Sequence, residues 1–182
     1  LAKNIYKHFE ENVTEEWPWP EDILTYANAK LPHALLLAGQ WMQRGDMIEM
    51  GLKCLEWLAE VQTPEDGHFS PIGNKGWYAK DGKRAWFDQQ PIEAYSMLSA
   101  CLEAYGMTGE DRWRVEARRA FEWYLGRNDL GIPLYDYTTG GCRDGLYPDR
   151  ANENQGAEST LIWLLSLLEM RLAESNIPET RE

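Results

Sequence analysis

The sequence predicts an all-α fold of stacked antiparallel helical hairpins, in about three units of 65 residues. Three observations carry this. Phe87-Asp88-Gln89-Gln90-Pro91-Ile92-Glu93-Ala94 aligns with Asn152-Glu153-Asn154-Gln155-Gly156-Ala157-Glu158-Ser159 at an offset of 65, with Gln90 on Gln155 and Glu93 on Glu158; one step further back, Asn28 falls in the same slot. An apolar helical pattern follows each slot: Leu31 to Trp41, then Tyr95, Met97, Leu98 and Leu102, then Leu161, Leu164, Leu165 and Leu168. Finally, Glu56-Trp57 and Glu122-Trp123 recur 66 apart, each late in a helical stretch. Self-similarity on this scale marks stacked supersecondary units.

Taken in order, residues 2–11 read as a helix that would be the outer helix of a preceding unit. The first helices of the hairpins run over 28–43, 91–105 and 156–174, and the second helices over 46–61 and 110–125. Connections within hairpins are short and turn-like, Arg44-Gly45-Asp46 and Gly106-Met107-Thr108-Gly109. Connections between hairpins, 62–90 and 126–155, are long for a compact domain, and loops of that length are usually functional. Short strands are expected near Gly76-Trp77-Tyr78 and Leu134-Tyr135-Asp136. The whole of 1–182 reads as a single domain.

An up-down array sends its long loops to one end, where the first helices begin. Segments 16–22, 70–90 and 135–155 therefore gather on one face, toward which three helix N-termini direct partial positive charge. Nine Trp and nine Tyr are distributed unevenly about that plan. Trp41, Trp57, Trp113, Trp123 and Trp163 sit in helix-patterned stretches and read as core. Trp17, Trp19, Trp77, Tyr78, Trp86, Tyr135, Tyr137 and Tyr147 sit in Gly/Pro/Asp-rich segments, which normally lie on the surface.

Composition excludes several classes. With 30 acidic against 18 basic residues the net charge is −12, which opposes nucleic acid and anionic membrane as partners. No apolar run approaches the roughly 20 residues of a membrane span. Nothing at 1–12 has the form of a signal peptide. Three widely spaced cysteines, Cys54, Cys101 and Cys142, read as reduced thiols of a cytoplasmic protein. No His/Cys/Asp spacing fits a transition metal and no phosphate-cradling glycine motif occurs, so neither metal nor cofactor is expected. The three histidines, His8, His33 and His68, receive no catalytic role.

Loop aromatics beside carboxylates and amides point to carbohydrate: sugar CH faces stack on Trp and Tyr, and hydroxyls pair with Asp, Arg and amides. A protein-binding face with aromatic anchors and a packing core beneath long loops are the other two readings. Glycoside hydrolysis requires two carboxylates flanking the bond. Asp22, Asp88, Glu93, Asp144, Asp149 and Glu158 are the candidates. Glu93 is equally explained as the third residue of a helix cap behind Gln90 and Pro91, and Glu158 occupies the same slot. Asp144-Gly145 is equally a turn, and Asp149 a partner for Arg150 or Arg143.

Phe87-Asp88-Gln89-Gln90-Pro91, Asn128-Asp129-Leu130-Gly131, Thr139-Gly140-Gly141-Cys142-Arg143-Asp144-Gly145-Leu146 and Asn154-Gln155-Gly156-Ala157-Glu158-Ser159-Thr160 resemble a helical region of many bacterial proteins. That region often lies C-terminal to a group 1 glycosyltransferase domain. Glu21-Asp22 and Ile72-Gly73-Asn74-Lys75-Gly76-Trp77-Tyr78 fit the same pattern. The region in turn resembles the six-hairpin glycosidase, or (α/α) toroid, superfamily of glycosidases, polysaccharide lyases and sugar 2-epimerases. The resemblance implies a site on the loop face beside the inner-helix N-termini. With about three hairpins the chain would be half of a toroid, and it carries no turn for a sugar nucleotide.

The expected function is therefore that of a carbohydrate-active protein, a glycoside hydrolase with Asp88, Asp144 and Glu158 as catalytic carboxylates. Trp77, Tyr78, Trp86, Gln90, Glu93, Tyr135, Arg143, Asp149 and Arg150 would bind substrate. The alternative is a non-catalytic carbohydrate-binding or accessory domain of a larger glycosyltransferase. Because Leu161, Ile162, Trp163, Leu164, Leu165, Leu167 and Leu168 leave only Ser166 polar, their helix is expected to be buried all round. An open array cannot bury it, so a homodimer is expected, with half-toroids completing each other or terminal helices pairing.

Overall fold

The computed structural model describes residues 1–175 and is mostly helical. Helix α1 spans Ala2–Asn12, α2 Lys30–Met42, α3 Gly45–Val61, α4 Pro91–Thr108, α5 Asp111–Glu122 and α6 Ala157–Ser175; a 3₁₀ turn, Trp123–Leu125, extends α5. Each agrees with its expected span to within about a turn, because the punctuation is local. Gln43 closes α2 in the left-handed region (φ 54). Pro91 stands in the first turn of α4 behind an extended Gln90. Gly109 (φ 69) ends α4, donating its N–H to Tyr105 O at 2.8 Å, so this helix runs one turn beyond its expected end.

Helices α2, α4 and α6 form one row with α4 in the middle, and α1, α3 and α5 form a second layer. Each short-turn hairpin, α2–α3 and α4–α5, packs tightly on itself, and the next first-layer helix seats on both of its members: α4 on α2 and α3, α6 on α4 and α5. One core joins the two layers. It holds Leu36, Leu55, Leu58, Met97, Leu98, Trp113, Trp123, Tyr124 and Trp163. A smaller cluster, Tyr6, Phe9, Leu35, Met47 and Cys54, ties α1 to α2 and α3.

The middle helix shows what this row demands. Residues 93–101 of α4 are buried nearly without interruption, since neighbours stand on both sides. Helix α6 has the same all-round apolar sequence but not the same surroundings. Leu161, Leu164, Leu165 and Leu168 are 41–60% exposed, which corrects the expectation of full burial within one chain. The polar member, Ser166, is the buried one, donating to Ile162 O at 2.9 Å beside the Tyr124 hydroxyl. Trp41 also departs from the core reading. It is 89% exposed, because α2 turns it to the side opposite Leu35, Leu36 and Gly39.

The loops contain a strand pair of which only one member was expected. Ile23–Leu24 (β1) runs antiparallel to Tyr78–Ala79 (β2), with Leu24 opposite Tyr78. Trp17 and Trp19 are not surface aromatics. Both are buried; Trp17 meets Trp57 edge-on at 4.9 Å and Tyr78 at 5.3 Å, and its indole N–H reaches Glu21 O. The long loops are thus partly a second core. Gly73 is obligatory in it, since a Cβ there would lie 1.9 Å from Phe87 O. The segment from Ala85 to Asp88 docks on Gly73 and Asn74 through backbone hydrogen bonds, and Gln89 pairs with Leu146.

Candidate functional site

The expected gathering of helix N-termini is present. The Tyr26-Ala27-Asn28 turn before α2, Gln90-Pro91 of α4 and Gly156-Ala157-Glu158 of α6 meet through side chains. A depression of about 290 Å3 lies between the starts of α4 and α6. Gln90, Pro91, Asp144, Gly156, Ala157, Glu158 and Ser159 line it. The hydroxyl of Tyr26 donates to Glu158 Oε1 at 3.1 Å from the α2 side. Burial, and after it the contact with the Glu158 carboxylate, raises the phenol above its ordinary range.

Asp144 reaches the depression from the 126–155 loop, across the start of α6. Its Oδ1 accepts the Gly156 N–H at 2.7 Å, and its Oδ2 accepts Asn154 Nδ2. The carboxylate is therefore an N-terminal cap supplied by a remote residue, not the turn-former of an Asp-Gly pair. Burial acts to raise its pKa, but hydrogen bonds from Ser159, Asn154 and Gly156 outweigh that and hold it below the usual carboxylate range. Asp144 is ionised at neutral pH. A Cβ at Gly156 would come within 2.9 Å of Asp144 Oδ1 and push the capping carboxylate aside.

Glu93 is corrected most sharply. Its side chain neither caps its own helix nor reaches the surface. Its carboxylate is buried beneath the α2 turn, where Oε1 accepts Ala27 N at 2.5 Å and Oε2 accepts the backbone and side-chain nitrogens of Asn28 at 3.3 and 3.2 Å. Burial raises its pKa to about 7 despite these donors. Ala27, in the left-handed region at φ 50, is the backbone this capping holds in place.

None of the remaining expected residues lines the depression. Asp88 lies on the docked 85–90 segment, its backbone oxygen accepting Asn74 N. Tyr135 is stacked on Trp163 at 4.6 Å and serves packing. Arg143 directs Nη1 to Pro133 O at 3.4 Å. Asp149 and Arg150 pair with each other at the surface. Trp77 (φ 56) and Tyr78 form part of the loop core. Trp86 is half exposed, with the Arg84 guanidinium 4.2 Å from its ring. The structure thus brings together Gln90, Asp144 and Glu158, and adds Tyr26, which sequence reasoning missed although it lies two residues before a repeat slot.

A polar cluster that was also missed joins the two long loops. Gln89 donates through Nε2 to Asp129 Oδ2 (2.5 Å) and Trp86 O (2.8 Å), and its Oε1 accepts Trp123 Nε1 at 2.8 Å. His68 Nε2 lies 3.2 Å from Asp129 Oδ1, close but not aligned as a hydrogen bond. Arg84 donates to Val61 O, Ser70 O and Ser70 Oγ. Burial lowers its pKa to about 10, against the pull of Asp129.

Among the described residues, no group of three or more His, Cys, Asp or Glu is placed to hold a metal ion, and no helix is long and apolar enough to cross a membrane. No protein family model matches the chain, and no curated protein matches it either.

Proposed function

We propose that the chain is a carbohydrate-active module of the six-hairpin kind, a glycoside hydrolase acting at the helix N-terminal depression. The observation that carries this reading is that two carboxylates from different segments, Asp144 and Glu158, line one small concave site with the amide of Gln90. Hydrolysis of a glycosidic bond needs such a pair. Asp144, held ionised by its donors, has the character of the base or nucleophile; Glu158, exposed on the rim, is the proton donor in this scheme. Gln90 and the Tyr26 hydroxyl supply hydrogen bonds to sugar hydroxyls, and the depression accommodates about one sugar ring. Asp88 is left without a catalytic part.

The second reading is a non-catalytic sugar-binding or accessory domain. It is favoured by the fact that the Asp144 carboxylate is already engaged in capping α6. A panel of nitrophenyl glycosides separates the two. Hydrolysis predicts turnover that Asp144→Asn and Glu158→Gln abolish and Asp149→Asn leaves intact. Sugar binding without turnover, lost in Glu158→Gln, favours the accessory domain, and neither turnover nor binding rejects both. The buried free thiols fit a reducing compartment, and we place the protein in the cytoplasm on that ground.

A further inference from the structure

Among the described residues two apolar faces of the helix row are uncovered, one at each end, and they differ in shape. On α6, Leu161, Leu164, Leu165, Leu168 and Leu172 repeat at i, i+3, i+4, i+7 and i+11, all 41–60% exposed. They cover an arc of about 100° directly opposite the buried Ser159, Trp163, Ser166 and Met170. No charge falls within the stripe itself, and the exposed Arg171 flanks its Leu164 edge. The acidic residues of the helix are turned aside and engaged elsewhere: Glu158 with Tyr26, Glu169 with Tyr95 and Glu174 with Arg118. At the other end, α2 and α1 enclose a groove of about 780 Å3 lined by Leu1, Ala2, Ile5, Ala34, Leu37, Ala38 and Trp41 among others. It is a groove because two small residues, Ala34 and Ala38, lie between larger ones.

The internal repeat says what belongs in such a groove. Within the chain, each first-layer helix seats on the first- and second-layer helices of the preceding unit: α4 on α2 and α3, α6 on α4 and α5. The α1–α2 groove corresponds to the face that α3 and α4 present to α2, and α5 and α6 to α4: an outer helix together with the first-layer helix that follows it, which calls for a first-layer helix with an apolar face. The stripe of α6 calls in turn for a second-layer helix and a first-layer helix, which are what α1 and α2 present. Stripe and groove are therefore the two halves of one repeat step.

We propose that the chain forms a homodimer in which the α6 leucine stripe of each copy seats in the α1–α2 groove of the other. The stripe-to-groove contact is made twice about one two-fold axis parallel to the helices, so the dimer interface as a whole is isologous. In it Leu168 stands level with Ala38 of the partner, as the repeat register dictates. Taking a half-exposed Leu as roughly 30–60 Å2 and Trp41 as roughly 150–250 Å2, the five stripe leucines and Trp41 offer roughly 600–1,100 Å2 over both contacts. The upper part of that range reaches the lower bound of about 1,000 Å2 expected of a specific interface. The charge-free stripe also matches the depletion of charge at interface centres.

Light scattering after gel filtration is expected to give twice the 21.1 kDa chain mass. Leu168→Glu and Trp41→Glu should each halve it while the far-ultraviolet circular dichroism stays unchanged. Ala38→Cys with Leu168→Cys should cross-link the chains under mild oxidation, whereas the wild type, whose thiols are all buried, should not. Cross-linking by Leu168→Cys alone would show α6 meeting α6 and overturn the arrangement. So would a wild-type mass of one chain at tens of micromolar, which would assign both faces to other partners.

Discussion

Asn28 and Glu93 occupy the same slot of successive repeats and are bonded to each other, the Asn28 side-chain nitrogen donating to Glu93 Oε2 at 3.2 Å. The repeat thus brings its own equivalent positions together at the helix N-terminal end. Glu158, the third occupant, is reached by Tyr26 from the same turn. One buried carboxylate and one exposed carboxylate therefore hold the turn before α2 against α4 and α6, which fixes the rim of the candidate site.

The pKa of about 7 for Glu93 makes this clamp pH-sensitive. The folded value lies above the ordinary glutamate value of 4.5, so between about pH 4.5 and 7 the folded state holds a proton that the unfolded state has lost. Stability from this group is fully present below pH 4.5 and is lost as the pH rises through 7. Urea titrations of the wild type and Glu93→Gln between pH 4.5 and 8 should show the wild type losing stability on the order of a few kcal/mol relative to the variant. Parallel pH profiles would rule out a titrating Glu93.

Asp144 is assigned two duties, capping α6 and acting at the depression, and substitutions separate them. Asp144→Asn keeps an acceptor for the Gly156 N–H and should cost under about 1 kcal/mol, while Asp144→Ala should cost about 1–2 kcal/mol as a lost cap. Both should remove turnover equally, because neither carries an ionised carboxylate. Midpoints of chemical denaturation alongside hydrolysis rates test this. Activity that tracks stability instead would reduce Asp144 to a capping residue.

The cysteines should be inert in the folded protein. Cys54, Cys101 and Cys142 are all buried. Burial pushes the Cys54 and Cys142 thiols up to about 12, with Asp144 adding to the effect on Cys142, and it raises Cys101 as well. Little thiolate exists near pH 8, and thiolate is the reactive form. Ellman's reagent should therefore titrate no thiol on the minute scale without denaturant and three in denaturant. Rapid reaction of Cys142 in the native state would show that the Gly140-Gly141 loop opens.

The helices were legible because their signals are local: apolar spacing, Pro91 at a helix start, Gly109 at a helix end. The repeat was legible for the same reason, and with it the end of the molecule where Asp144, Gln90 and Glu158 meet. Trp41 was not, because an apolar residue at helical spacing marks a face without saying whether that face has a neighbour. Nor were Trp17 and Trp19, since composition alone does not reveal that a loop folds over its own aromatics. The partners of Glu93 and Gln89 were hidden by distance. Glu93 sits in a slot that local capping rules assign to its own helix, yet it caps a turn 65 residues away. Asp129 lies 40 positions from Gln89 and only the folded loops bring them together.

That last pair leads to the prediction with the widest reach. Among the described residues Asp129 is the sole carboxylate contacting Gln89 and His68, and its charge, ahead of Tyr78, favours the buried Arg84 cation. Removing it leaves the buried Gln89 amide short of an acceptor and takes a favourable charge away from Arg84, whose guanidinium keeps its carbonyl and hydroxyl acceptors. Asp129→Ala should thus destabilise the fold by about 1–3 kcal/mol, the cost of leaving a buried polar group unsatisfied. Asp129→Asn keeps the acceptor for Gln89 but loses the charge, and should fall between the two. The urea midpoint should drop with an unchanged slope, since the loss is of interaction and not of compactness. Gln89 pairs its backbone with Leu146 and precedes Gln90 at the depression, so the same variants should raise KM more than they lower kcat by loosening the wall of the site. Full stability in Asp129→Ala would show that the two long loops are held by their aromatic core alone.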